Sequence, residues 1–154
     1  VIRNRIWKVR MSPDYPTSVK QGYFSGGGGL SSTAEDYLRF CQMILNQGAF
    51  NGKQLLKSTT IKMMTSNQVG DFTCGQVEDV EFRFGFGFAV FPQQNAMRSE
   101  ISWGGIWGTV FRISQGGDWV GILMTQRTFD ESFSPREADF TRTVREAIHG
   151  NARQ

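Results

Sequence analysis

The chain predicts an α+β fold in which an antiparallel sheet is flanked by helices. Between Phe84 and Gln126, short apolar runs are separated by glycine-containing turns, the pattern of an antiparallel meander. On either side of that region lies a segment of helical periodicity opened by a capping box. Eighteen glycines and thirteen phenylalanines among 154 residues agree, since strands packed through aromatic faces need tight turns between them.

The elements follow in order. Residues 1–25 form an irregular lead-in, with a weak strand signal at Arg5 to Val9 and then the turn-rich Ser12-Pro13-Asp14-Tyr15-Pro16. Residues 26–150 carry the helices and the sheet. Gly26 to Gly29 lead into Ser32-Thr33-Ala34-Glu35, a capping box with Ser32 as the expected cap. Tyr37, Phe40, Cys41, Ile44 and Leu45 then recur at helical spacing, and Gly48 supplies the stop. Phe50-Asn51-Gly52-Lys53 is a tight turn, after which Ser58 is expected to cap a short helix bearing Ile61, Met63 and Met64. Thr65 to Arg83, polar and irregular, is expected to be a surface loop. Phe84, Phe86, Phe88 and Val90 alternate with Gly85, Gly87 and Ala89, which predicts one strand with a crowded apolar face. Strands are predicted at Ser99 to Trp103, Thr109 to Ser114 and Trp119 to Gln126, with Gln115-Gly116-Gly117-Asp118 joining the last two. A second capping box, Ser134-Pro135-Arg136-Glu137, opens a helix that buries Phe140, Val144, Ala147 and Ile148 and ends before Gly150.

Composition excludes several classes. Seventeen basic and fourteen acidic side chains leave a net charge of +3, spread from Arg3 to Arg153 without the basic run of a nucleic-acid arm. Two cysteines, Cys41 on the first helix and Cys74 in the loop, make no disulfide framework and no Cys-x-x-Cys metal site, and nothing calls for a metal or organic cofactor. No stretch approaches the roughly twenty apolar residues of a membrane span. Val-Ile-Arg-Asn-Arg has no signal-peptide h-region, and any export signal would precede Val1, so cytoplasm and periplasm both stay open.

The run Ser102-Trp103-Gly104-Gly105-Ile106-Trp107-Gly108-Thr109 is the candidate site. A strand edge beside a nucleophile must let an acyl group lie flat against backbone N–H groups, and Gly104 and Gly105 leave that approach open. Taken alone, the same residues also fit a tight turn with a core tryptophan. No Ser-x-x-Lys and no Tyr-x-Asn occurs anywhere in the chain. Other chemistry-bearing residues have plainer roles. Ser32 and Ser134 fit helix caps, Cys41 a packing thiol, His149 a helix end, and Glu78, Asp79 and Glu81 a solvated loop.

Taken in order, Ser25 to Phe40, Asn51 to Leu56, Phe84-Gly-Phe-Gly-Phe88, Trp103-Gly-Gly105 and Leu123-Met-Thr-Gln126 resemble the C-terminal part of a serine β-lactamase-like hydrolase. The nearest branch comprises class C β-lactamases, family VIII esterases and penicillin-binding-type proteins. The resemblance implies that residues 1–154 are the C-terminal portion of one such domain, part of a β-lactamase/transpeptidase-like fold. It implies hydrolysis of an ester or amide, including a β-lactam, through an acyl-serine intermediate. Of that chemistry's three motifs only the third is here, with Trp103, Gly104 and Gly105 as the substrate-binding wall and the Ile106 backbone N–H as the oxyanion donor. Where many relatives have Lys-Thr-Gly or His-Thr-Gly, this chain has Trp-Gly-Gly, as in an esterase-like subset. Trp offers one N–H and an apolar ring where a substrate carboxylate would be held. The implied partners are a small ester or amide substrate and the N-terminal part of the same hydrolase. Two further readings follow from the missing nucleophile: a non-catalytic binding module derived from that fold, and self-association through exposed apolar surface.

Overall fold

A computed structural model describes residues 26–27, 30–77, 79–93, 98–105, 107–117, 119–126 and 133–149. The lead-in expected at 1–25, with its weak strand at Arg5 to Val9, lies outside them. The chain divides into two units, Val1–Ser32 and Thr33–Gln154. In the first, Gly26 and Gly27 form a turn.

The second unit begins with helix α1, Ala34–Leu45. Its cap is Thr33, one residue later than expected: Thr33 Oγ1 accepts the Asp36 N–H at 3.1 Å, while Glu35 and Asp36 place negative charge on the first turn. The helix stops where Gly48 adopts φ +91° and its N–H reaches the Met43 carbonyl at 2.8 Å. A two-stranded hairpin follows, β1 (Ala49–Phe50) and β2 (Lys53–Gln54). Asn51 and Gly52 both take positive φ, as a two-residue Asn-Gly hairpin turn requires. Helix α2 spans Ser58–Met64. Ser58 is helical and Lys57 stands at the cap with no side-chain bond, so the expected serine cap is absent.

The remaining strands form one antiparallel sheet in sequential order: β3 (Gly75–Val77), β4 (Val80–Phe84), β5 (Ala89–Phe91), β6 (Glu100–Gly105), β7 (Thr109–Ser114) and β8 (Val120–Leu123). The antiparallel meander is therefore present, with two corrections. The stretch expected to be loop holds β3 and most of β4, which pair Gly75 with Phe82 and Val77 with Val80. The expected strand from Phe84 to Val90 is a hairpin: Gly85 N–H bonds the Phe88 carbonyl at 2.9 Å, Gly87 takes φ +88°, and Phe84 pairs with Ala89. Phe86 is thereby turned out to solvent while Phe88 is buried.

Helix α3 spans Phe133–His149, so Ser134 is a helical residue and the expected cap is displaced. A helix packs on each face of the sheet. On one face α1 lays Tyr37, Phe40, Cys41 and Ile44 over Phe88, Ile101, Phe111 and Ile113, with Ile61 of α2 completing the cluster. Tyr37 meets the Phe111 ring at 5.2 Å, and Phe88 meets it edge-on at 5.8 Å. Each fully buried isoleucine in this layer contributes about 2 kcal/mol. On the other face, Gly121 lets α3 approach: a Cβ there would lie 3.1 Å from the Phe140 ring. Strand β7, covered on both faces, is buried from Val110 to Ser114.

Candidate active site

Strands β6 and β7 pair from Glu100↔Ser114 to Gly105↔Thr109, which places the Trp103–Gly105 run at the tip of a long hairpin. The tip is tight. Gly108 takes φ +73° and its N–H returns to the Gly105 carbonyl at 2.9 Å. The Thr125 hydroxyl, beyond β8, lies 2.8 Å from the Trp107 carbonyl and 2.9 Å from that of Gly108, tying the tip to the neighbouring strand. A Cβ on Gly105 would strike the Thr109 hydroxyl.

The expected wall residues are thus brought together on one strand end. Trp103 is 48% exposed, and its ring meets Phe84 edge-on at 4.8 Å. Ile106, the expected oxyanion donor, lies outside the described residues. Ser102, beside the wall, is 2% exposed and donates to the Phe111 carbonyl at 2.7 Å, so it is a structural hydroxyl and not a nucleophile. Cys41 is buried in the core, and its thiol is pushed up to about 12 by burial, its own backbone hydrogen bond opposing. The Tyr37 phenol is likewise raised to about 12, first by burial and then by nearby Cys41. Both are neutral at neutral pH, and neither serves as base or nucleophile. Among the described residues no group of three or more His, Cys, Asp or Glu could hold a metal. No helix there is long and apolar enough to cross a membrane.

A cleft of about 530 Å³ sits at the other end of the same hairpin, between α1, α2 and the β7–β8 turn, lined by Ile101, Ile113, Lys62 and Gln115. It is remote from the wall, since Ile101↔Ile113 pair near the strand ends opposite Gly105↔Thr109.

The sequence reading missed a charged cluster behind the wall. Arg145 of α3 grips Glu100 through Nε–Oε1 (3.1 Å) and a second guanidinium nitrogen to Oε2 (2.7 Å), and Arg112 reaches the same Oε2 at 3.4 Å. Arg112 is 1% exposed and lies 4.3 Å from the centroid of the Phe91 ring. Ser102↔Arg112 pairing makes Glu100 and Arg112 diagonal neighbours on the α3 side of the sheet. The available signal was a charged residue on each of two adjoining strands, with a helical arginine as the third party.

The sequence model of the Beta-lactamase family matches residues 3–145. The chain belongs to the Beta-lactamase family. Two Mycobacterium tuberculosis proteins, the uncharacterized protein MT1414 and protein Rv1367c, are each 27% identical over 130 residues, covering 76% of this chain. The alignment takes in 32% of either relative, so the chain spans about a third of their length. A crystal structure of a "putative beta-lactamase" from Bacteroides dorei DSM 17855 superposes with a TM-score of 0.50 at 20% identity, over 80% of this chain and 44% of that one. That likeness concerns the fold: the six-stranded antiparallel sheet with its helices is β-lactamase-like.

Proposed function

We propose that this chain is the C-terminal portion of a serine hydrolase that cleaves ester or amide bonds through an acyl-serine intermediate, with the nucleophile on sequence outside it. The single observation that carries the reading is the Trp103–Gly105 run, with Trp103 half-exposed and both glycines part-buried, at the tip of an otherwise buried hairpin in a chain of this family. In this reading the wall offers a flat approach to the substrate carbonyl. A serine hydroxyl from the N-terminal part attacks the carbonyl carbon, and its proton passes to the leaving alcohol or amine as that bond breaks. Water then releases the acid and restores the serine. The Ile106 N–H stabilises the oxyanion together with the N–H of that serine, and such a donor supplies roughly 3 kcal/mol at the transition state.

The absence of Ser-x-x-Lys from all 154 residues favours a second reading, a non-catalytic binding module built on the same fold. A fluorophosphonate probe and a p-nitrophenyl ester separate the two. This chain alone is expected to stay unlabelled and inactive, and joining it to the upstream sequence is expected to restore both labelling and turnover. Labelling of the isolated chain would refute the location of the nucleophile. An intact parent sequence without Ser-x-x-Lys would give the binding module the field.

A further inference from the structure

The turn that joins β6 to β7 is held from the next strand by a side chain. In the ladder between β7 and β8, the pair nearest that turn is Val110↔Leu123. Two residues further along each strand, the same antiparallel register sets Thr125 opposite Gly108. There a hydroxyl takes over from the backbone: half-buried Thr125 places Oγ1 2.8 Å from the Trp107 carbonyl and 2.9 Å from that of Gly108. It has one proton, which it gives to either carbonyl or shares between the two.

The Trp107 carbonyl and the Gly108 N–H are two ends of one peptide group, and that N–H donates to the Gly105 carbonyl at 2.9 Å. The Gly105 carbonyl in turn shares its peptide group with the Ile106 N–H. A relay of donors therefore leads from the Thr125 hydroxyl through one peptide group into the next. A peptide group is planar, so whatever holds its carbonyl also holds the plane that carries its N–H. Each bond accepted by the carbonyl polarises the group as well, which strengthens the N–H as a donor. Packing leaves the relay little slack, since Gly108 is buried and a Cβ on Gly105 would strike the Thr109 hydroxyl.

We infer that Thr125 is a positioning residue for acyl transfer: through the Gly108 N–H and the Gly105 carbonyl, its hydroxyl orients and polarises the Ile106 N–H assigned to the oxyanion. This rests on the reading of Ile106 as the oxyanion donor, and it adds the residue that sets that donor. Thr125 acts on the donor and not on the substrate. The charge that the donor meets develops only in the transition state, so the hydroxyl governs kcat and leaves KM nearly unchanged.

The test uses this chain joined to its upstream sequence, with p-nitrophenyl acetate as substrate and fluorophosphonate labelling carried to its end point to count active sites. Thr125→Val keeps the shape of the side chain and removes the hydroxyl. Per labelled site it is expected to lower kcat about tenfold while KM changes by less than about twofold. Thr125→Ser restores the donor and should recover kcat to within about threefold of the native value. In the isolated chain labelled with nitrogen-15, the Ile106 amide resonance should move in Thr125→Val and return toward its native position in Thr125→Ser. A merely structural tie would lower the number of labelled sites and leave kcat per site unchanged, which would overturn the inference. So would a loss confined to KM, a kcat that Thr125→Ser does not recover, or an Ile106 resonance that stays in place. Failure of the hydrolase reading shows separately: a native extended protein that takes no label and cleaves no ester overturns both, whereas a labelled native protein with an unaffected Thr125→Val overturns this inference alone.

Discussion

Replacing Glu100 by alanine is the most severe single change the sheet predicts. The carboxylate is 4% exposed and serves two guanidiniums, Arg145 at 2.7 and 3.1 Å and Arg112 at 3.4 Å. Removing it affects the two unequally. The Arg145 side chain is 18% exposed and can swing toward water, but Arg112 at 2% cannot, and it would keep its charge in the interior without that anion. Breaking a buried pair from one side costs about 3–5 kcal/mol, a fifth or more of the roughly 5–15 kcal/mol that holds a domain of this size together. Glu100→Gln retains an acceptor but no charge and should lose about 2 kcal/mol. The double variant Glu100→Leu with Arg112→Met should be more stable than Glu100→Ala, because the stranded charge goes with its partner. Urea unfolding followed by far-ultraviolet circular dichroism gives the midpoints and slopes. Arg39→Ala is the control: it removes exposed pairs with Glu35 and Asp36 and should change stability by no more than about 0.5 kcal/mol. If Glu100→Ala behaves like Arg39→Ala, the cluster does not hold α3 to the sheet.

Three other predictions rest on single contacts. With the Cys41 thiol raised from 9.0 to about 12, the unfolded chain ionises first, so stability is level below pH 9 and falls between 9 and about 12. Thermal melts from pH 8 to 11 should therefore steepen above 9 in the native chain and less so in Cys41→Ala; equal slopes would refute the buried thiol as their source. Gly48→Ala forces a Cβ onto the Leu56 carbonyl at φ +91° and should cost about 2 kcal/mol or more in the same urea assay. Thr125→Val removes the hydroxyl from the Trp107 and Gly108 carbonyls and should cost about 1 kcal/mol, with faster amide exchange at Gly108 as its local signature.

Local chemistry was legible in the sequence and tertiary choices were not. Asn51-Gly52 announces its turn because both positions need positive φ, and Tyr37, Phe40, Cys41 and Ile44 announce one helical face because only one side of α1 meets the sheet. Phe84-Gly-Phe-Gly-Phe88 defeated the same logic, since strict alternation fits a strand and a glycine turn equally well until Gly87 takes φ +88°. Strand β3 was hidden because Gly75-Gln76-Val77 carries little apolar signal of its own and exists by pairing with β4. Arg112 looks like a solvent-facing strand residue until α3 supplies the lid and Glu100 the anion, neither of which local spacing can foresee.

These distinctions bear on the site itself. On the α3 side of β6, Glu100 and Ser102 are buried in polar contacts that fix the strand, while Trp103 near the strand end stands half-open against Phe84. A strand that ended in the same Trp-Gly-Gly without that anchorage would be a floppy hairpin tip, and one whose tryptophan faced inward would be core. In the proposed reading, this anchorage would preorganise the run, which is the property a wall for acyl transfer needs and an ordinary turn does not. Glu100→Gln provides the discriminating case in the extended protein. If the anchorage matters to the site, the variant should lose turnover in kcat at temperatures where it is still fully folded, and Trp103→Phe should instead raise KM.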